Sequence, residues 1–261
     1  MWANLNFTPP TADLDDLLSY FGDTISVYFE NLETGFIYRH NPNQIYMSAS
    51  ILKAPFALYI LELAEQGETN LDNIYTFLSE DYQDGSGIIR RRYSYGATFP
   101  LREILRLNVS ESDNIATNML MRIYGVQGFR RFIQAMGANP MLVTIHIYSN
   151  VLTVDDTAIF AREIFNYIES DRQYSQLLKD FLLNNQFPYI VSDYPIASKT
   201  GATLPQIWHD MAIVYAPSPY ILIILSSRPE WATIPTRTRG FQEISEAFQN
   251  FNTKWFTPLP N

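Results

Sequence analysis

Ser50 and Lys53 stand three residues apart at the start of a segment patterned as a helix, so their side chains share one face about a turn apart. A serine hydroxyl is a poor nucleophile until a base removes its proton. A lysine can be that base if its amine is neutral, which burial or a neighbouring cation enforces. Farther on come Ser112-Asp113-Asn114, just before a second helical pattern, and Lys199-Thr200-Gly201, at the end of a β-like run. Lys199 is a candidate for the cation that lowers the pKa of Lys53. In the first turn of a helix, free backbone N–H groups would also favour negative charge developing near Ser50. Pro55 cannot donate to the carbonyl of Ile51, so this turn should be distorted. Taken singly, each motif has an ordinary reading: a helix start with a surface lysine, an N-cap, a strand running into a turn.

Order and spacing argue for more. Ser-x-x-Lys, Ser-Asp-Asn and Lys-Thr-Gly follow one another, with 62 residues from Ser50 to Ser112, and fall at a helix start, a loop and a strand end. In this the chain resembles the class A β-lactamase and penicillin-binding protein superfamily of active-site serine hydrolases. The resemblance covers nearly the whole chain. It implies that Ser50 is acylated, that Lys53 is its base, and that Ser112 passes a proton between lysine and leaving group. Asn114 would hydrogen-bond the substrate amide, while Asp113 braces the loop. Lys199 and Thr200 would hold the substrate carboxylate, with Gly201 leaving room for the ligand. The N–H of Ala202 would join that of Ser50 in an oxyanion hole, where losing one donor costs about 3 kcal/mol.

One departure bears on the chemistry. Class A β-lactamases carry a Glu-x-x-Leu-Asn motif on an Ω-shaped loop, whose glutamate activates the water that cleaves the acyl-enzyme. Here 87 residues separate Ser112 from Lys199, a shorter gap than that family leads one to expect, and residues 137–154 contain no Asp or Glu. Acylation should therefore proceed and deacylation lag. His146 could activate the water instead, although its setting, Thr144-Ile145-His146-Ile147-Tyr148, better suits a structural histidine. His209, ten residues after Lys199, could help bind a carboxylate or, the preferred reading, brace the strand through Asp210. Tyr93 and Tyr95 could wall the cleft, but packing or surface roles are the simpler reading.

The elements that must position these residues follow from patterning. Residues 11–21 read as an amphipathic helix, 24–30 and 35–39 as a hairpin, and a helix capped by Ser48 runs to about Gln66, apolar on every side over 54–61. Helical patterns dominate 71–187, clearest over 101–107, 115–124, 127–136 and 155–168, with a capping box from Thr153 to Asp156. Strands return at 196–200, 207–215 and 220–226, before a last helix over 240–251. This is an α+β arrangement: an antiparallel sheet from both ends of the chain, flanked by helices (1–46 and 190–261), with an inserted helical subdomain (47–189).

With 47% hydrophobic and 17% charged residues among 261, the chain can bury a large core. A net charge of −9 argues against nucleic acid or anionic lipid as partner. The lack of cysteine removes disulfides, thiolate metal sites and cysteine nucleophiles. No cofactor or metal is required by the expected chemistry. No apolar run is long enough for a membrane span. The first residues lack the basic and apolar regions of a signal peptide; the resemblance itself implies an extracytoplasmic protein. The expected partner is a small peptide or β-lactam-like substrate, with peptidoglycan as its possible source. A penicillin-binding or D,D-peptidase-like hydrolase is the leading reading. The alternatives are a β-lactamase using another base, a broad esterase, and a module that captures its ligand covalently without turnover.

Overall fold

The computed structural model describes residues 8–139, 150–203, 205–228 and 233–257. In chain order the elements are α1 (Ala12–Ser19), β1 (Ile25–Asn31), β2 (Ile37–His40), β3 (Tyr46–Met47), α2 (Lys53–Glu65), β4 (Ile74–Thr76), α3 (Ile89–Arg92), β5 (Thr98–Pro100), α4 (Leu101–Ser110), α5 (Asn114–Tyr124) and α6 (Gln127–Ala135). There follow β6 (Val151–Leu152), α7 (Val154–Ile168), α8 (Ser175–Leu183), β7 (Ile196–Thr203), β8 (Ile207–Val214), β9 (Tyr220–Ser226) and α9 (Ile234–Phe256).

Five strands form one antiparallel sheet in the order β2-β1-β9-β8-β7. Both ends of the chain contribute, as the hairpin and late-strand patterns require. Side chains alternate across the sheet, and each face therefore has its own core. Tyr28, Ile223, Met211 and Ala197 face the helical layer built around α2. Val27, Phe29, Leu222, Ile224 and Val214 face α1 and α9, where Phe29 stacks on Phe248 at 5.4 Å. Among the described residues no helix is long and apolar enough to cross a membrane.

Helix α2 is buried nearly all round: nine of its 13 residues, from Lys53 through Ala64, are shielded from water. It nevertheless starts four residues later than a cap at Ser48 would place it, with Leu52 at the cap position. Ala49 adopts a left-handed φ of 46°, which a right-handed helix cannot contain. From Ser48 to Ala54 the chain is held by successive three-residue bonds, Ile51 N–H to Ser48 O at 3.2 Å, Lys53 N–H to Ser50 O at 3.3 Å and Ala54 N–H to Ile51 O at 3.3 Å. The distortion expected from Pro55 is thus a tight turn carrying Ser50 ahead of the helix. Pro55 itself falls in the first helical turn, where its missing donor is tolerated. The pairs β3–β6 and β4–β5, with two and three residues a strand, had no counterpart in the sequence pattern. The capping box at Thr153 and Asp156 forms as expected.

Candidate active site

Three elements bring the three motifs together. Lys199 lies on β7 in register with Met211, so it faces the helical layer. Gly201, two residues on, shares that face and presses against the turn before α2. A Cβ at Gly201 would stand 3.1 Å from Ser50 N and 3.2 Å from the Ala49 side chain, a tight contact that would make the turn before α2 give by a few tenths of an ångström. The loop between α4 and α5 supplies Ser112, itself at a left-handed φ of 51°.

Ser112 is the meeting point. Its hydroxyl lies 3.3 Å from Lys53 Nζ and 3.1 Å from Lys199 Nζ. Lys53 Nζ also donates to the Ser112 carbonyl at 2.6 Å and to Asn114 Oδ1 at 2.9 Å. Lys199 Nζ donates to the Thr200 carbonyl at 2.7 Å. Both lysines are fully buried, whereas Ser50 keeps 9% and Ser112 6% exposure. Burial is the main reason that Lys53 is pushed well below the ordinary lysine range; the Lys199 charge adds to this, and Asp113 opposes it. Burial likewise lowers Lys199 to about 7, with Asp210 opposing. A neutral amine at Lys53 is the form a general base requires.

Asp113 holds this loop in shape. Its Oδ1 accepts from the N–H groups of Ile115 and Ala116 at 2.9 and 3.1 Å, capping α5. Its Oδ2 accepts from those of Ile88 and Ile89 at 2.6 and 2.8 Å, tying down α3. Gly87 makes room for that carboxylate: at φ 116°, a Cβ there would stand 2.2 Å from Asp113 Cγ. Asn114 is fixed from the same side, with its N–H on Ser86 O at 3.0 Å and its Nδ2 on Asp84 O at 2.9 Å.

Asn108 was not singled out in the sequence. It is buried in α4, donates to the Lys53 carbonyl at 3.0 Å and accepts from Thr117 at 2.8 Å, tying α2 to α5. Its signal was there to read: an amide on the apolar face of an amphipathic helix.

His209 and Asp210 are adjacent on β8, so their side chains leave on opposite faces. This rules out the mutual hydrogen bond expected of them. His209 is fully buried on the helical side. Its Nδ1 accepts from Ser226 N–H at 3.1 Å, which leaves Nε2 protonated and donating to Met47 O at 2.8 Å. Burial lowers its pKa to about 4, so it braces the sheet as a neutral ring and has no charge to offer a carboxylate. Asp210 accepts from Tyr189 and Ile190 N–H at 2.7 and 2.9 Å on the other face. Tyr93 packs edge-on to Phe99 at 4.9 Å and Tyr95 on Phe77 at 5.0 Å, each remaining about half exposed. His146 lies outside the described residues.

The sequence model of the β-lactamase enzyme family matches residues 9–251. β-Lactamase 1 of Bacillus cereus is 24% identical over 243 residues, which span 84% of this chain and 76% of that protein. A β-lactamase structure from Chitinophaga pinensis superposes with a TM-score of 0.82 at 20% identity, covering 92% of this chain and 98% of that one. A PBP-A mutant solved as an acyl-enzyme complex with penicillin G gives a TM-score of 0.80 at 20% identity, covering 94% and 100%. At such identities the structural likeness speaks for the fold.

Proposed function

Because the chain belongs to the β-lactamase enzyme family, we propose that it is a serine hydrolase of the penicillin-binding or D,D-peptidase-like kind, which acylates on Ser50 and releases β-lactams slowly. The observation that carries this reading is the convergence of Lys199 and of Lys53, whose backbone N–H bonds the Ser50 carbonyl, on the Ser112 hydroxyl away from water.

The neutral Lys53 amine takes the Ser50 proton as Oγ attacks the substrate carbonyl. The N–H groups of Ser50 and Ala202 receive the charge that forms on oxygen. As the tetrahedral species collapses, the proton moves from Lys53 through Ser112 to the leaving nitrogen or oxygen, leaving an ester on Ser50. Lys199 and Thr200 hold the substrate carboxylate, and Asn114 the amide. β7 is the edge of the sheet, so an extended substrate can lie along it and pair with its outer backbone groups. Hydrolysis of the ester needs a base for water, and residues 137–154 supply no carboxylate for it. A stem peptide of peptidoglycan, met outside the cytoplasm, fits this reading as substrate, with β-lactams as its mimics.

A second reading, full β-lactam hydrolysis, has one observation in its favour. Asn150 is buried, and its carbonyl accepts the N–H of Ser48 at 2.6 Å, beside the nucleophile's turn. If it stands for the asparagine of Glu-x-x-Leu-Asn, the residue four earlier, where the glutamate would be, is His146.

An intact-mass time course with benzylpenicillin, after free drug is removed, separates the two. The expected result is an adduct on Ser50 that persists for hours. Rapid drug loss with no lasting adduct overturns the slow-release reading in favour of hydrolysis. Neither adduct nor drug loss overturns the β-lactam reading altogether.

A further inference from the structure

A cavity of about 160 Å³ opens beside the catalytic loop, lined by Gly85, Ser86, Arg90, Arg91, Glu111 and Phe187 among others. It is built onto that loop. Ser86 accepts the Asn114 N–H through its carbonyl and donates its hydroxyl to the Glu111 carbonyl at 3.3 Å. On the far side Gln186 N–H bonds Ser110 O at 3.0 Å, which sets Phe187 at the rim, 54% exposed. Glu111, on the wall, immediately precedes Ser112, the residue that passes the proton to the leaving group.

The charge here is out of keeping with the rest of the molecule. In a chain of net −9, Arg90-Arg91-Arg92 is a run of three cations. Arg90 pairs with Asp84 at 3.1 Å. Arg91 donates to the Gly87 carbonyl at 3.1 Å and, among the described residues, forms no ion pair. The one carboxylate on the wall, Glu111, is turned toward Arg106 at 3.6 Å. The cavity therefore offers an unneutralised guanidinium, an aromatic rim and room for several heavy atoms, next to the loop that carries Ser112 and Asn114.

We propose that this cavity is a leaving-group subsite, with Arg91 binding a second carboxylate beyond the one held by Lys199 and Thr200. The substrate class is then a peptide or depsipeptide whose leaving group is a diacid, larger than a single terminal alanine, as in a branched or cross-linked peptide. α3, which carries Arg91, is tied by Asp113 to the same loop as Ser112 and Asn114. This inference rests on the acyl-transfer reading above.

The test compares two thioester depsipeptides that differ only in the leaving group, one bearing a distal carboxylate and the other its carboxamide. The wild-type protein is expected to favour the diacid, mainly through KM, and to lose that preference as ionic strength rises. Arg91→Glu is expected to cut the diacid-to-amide ratio of kcat/KM by about tenfold or more, and Arg91→Lys to restore part of it, since a charge-assisted contact contributes on that scale. Equal effects on both substrates, or no salt-sensitive preference in the wild type, overturn the subsite. Benzylpenicillin labelling of Ser50 is measured on the same samples. If the wild type neither turns over either thioester nor consumes or retains benzylpenicillin, it is the acyl-transfer reading that has failed; if the thioesters are turned over without discrimination, only the subsite has.

Discussion

Two sets of cations in this molecule are treated in opposite ways. On the flanks, Arg122 grips Asp81 at 2.7 and 2.9 Å, and Arg162 reaches Glu30 at 2.7 Å and the Tyr28 hydroxyl at 2.7 Å. Hydrogen bonds to those carboxylates hold both guanidinium groups above their ordinary range. In the site, Lys53 and Lys199 donate to hydroxyl, amide and carbonyl oxygens, and burial pushes both downward. A carboxylate fixes a charge, which suits a structural clamp. Neutral oxygens position an amine while leaving its proton free to move. The difference separates cations that hold the fold from cations that do chemistry.

The strongest test of that distinction is at the nucleophile the lysines serve. Ser50→Ala is expected to abolish penicillin labelling by intact mass and to lower turnover of any ester or peptide by about 10⁶-fold, the scale seen when a serine hydrolase loses its nucleophile. A labelled Ser50→Ala protein would remove Ser50 from that role. Lys53→Met should follow with a loss of acylation of about 10³-fold, the share of a general base. Wild-type acylation should rise with pH as the Lys53 amine loses its proton, and the Met variant should lack that limb in a stopped-flow pH profile.

Asp113→Asn comes next, and it acts through stability as well as rate. The carboxylate accepts four backbone N–H bonds, and an amide must turn its NH2 toward one pair of those donors. The cost is expected to be about 3 kcal/mol in urea unfolding, from two buried donors left unmatched. Much of this was open to view in the sequence. Ser112-Asp113-Asn114 before a helical pattern already marks an N-cap, and apolar residues on every side of 54–61 already mark a helix sunk in the core. What stayed hidden depends on contacts distant in the chain. The start of α2 is set by the left-handed Ala49, packed under Gly201 from β7. β3 and β6 are too short to show alternation and exist only as a pair. The partners of His209, on β9 and β3, follow from sheet order, which no local pattern encodes.

The lysines also leave a mark on stability against pH. In the unfolded chain Lys199 keeps its proton up to its ordinary value of 10.5, while in the folded protein it releases it at about 7. Between those values unfolding takes up a proton, so the contribution of this group to stability increases as pH rises from 7 toward 10.5. Below 7 the folded protein must carry the buried charge, and the penalty is then at its largest. Thermal midpoints of wild type and Lys199→Met, measured from pH 6 to 10, should therefore converge as pH rises; a constant gap would mean that Lys199 stays charged throughout.

The smallest effect is expected where the pairing looks richest. Arg172 bonds Glu62 at 2.7 Å and Glu65 at 2.8 Å, and lies over the Tyr167 ring at 4.5 Å. Its side chain is 41% exposed, however, so water screens the charges and competes for the same bonds. Ordering the long side chain also costs entropy. Arg172→Ala should destabilise the fold by only about 0.5–1 kcal/mol in urea unfolding, including the lost ring contact, and leave penicillin acylation rates at the wild-type value. A drop in acylation there would show that the flank clamps set the position of α2, which carries Glu62, Glu65 and Lys53 alike, and that the separation between structural and chemical cations is not clean.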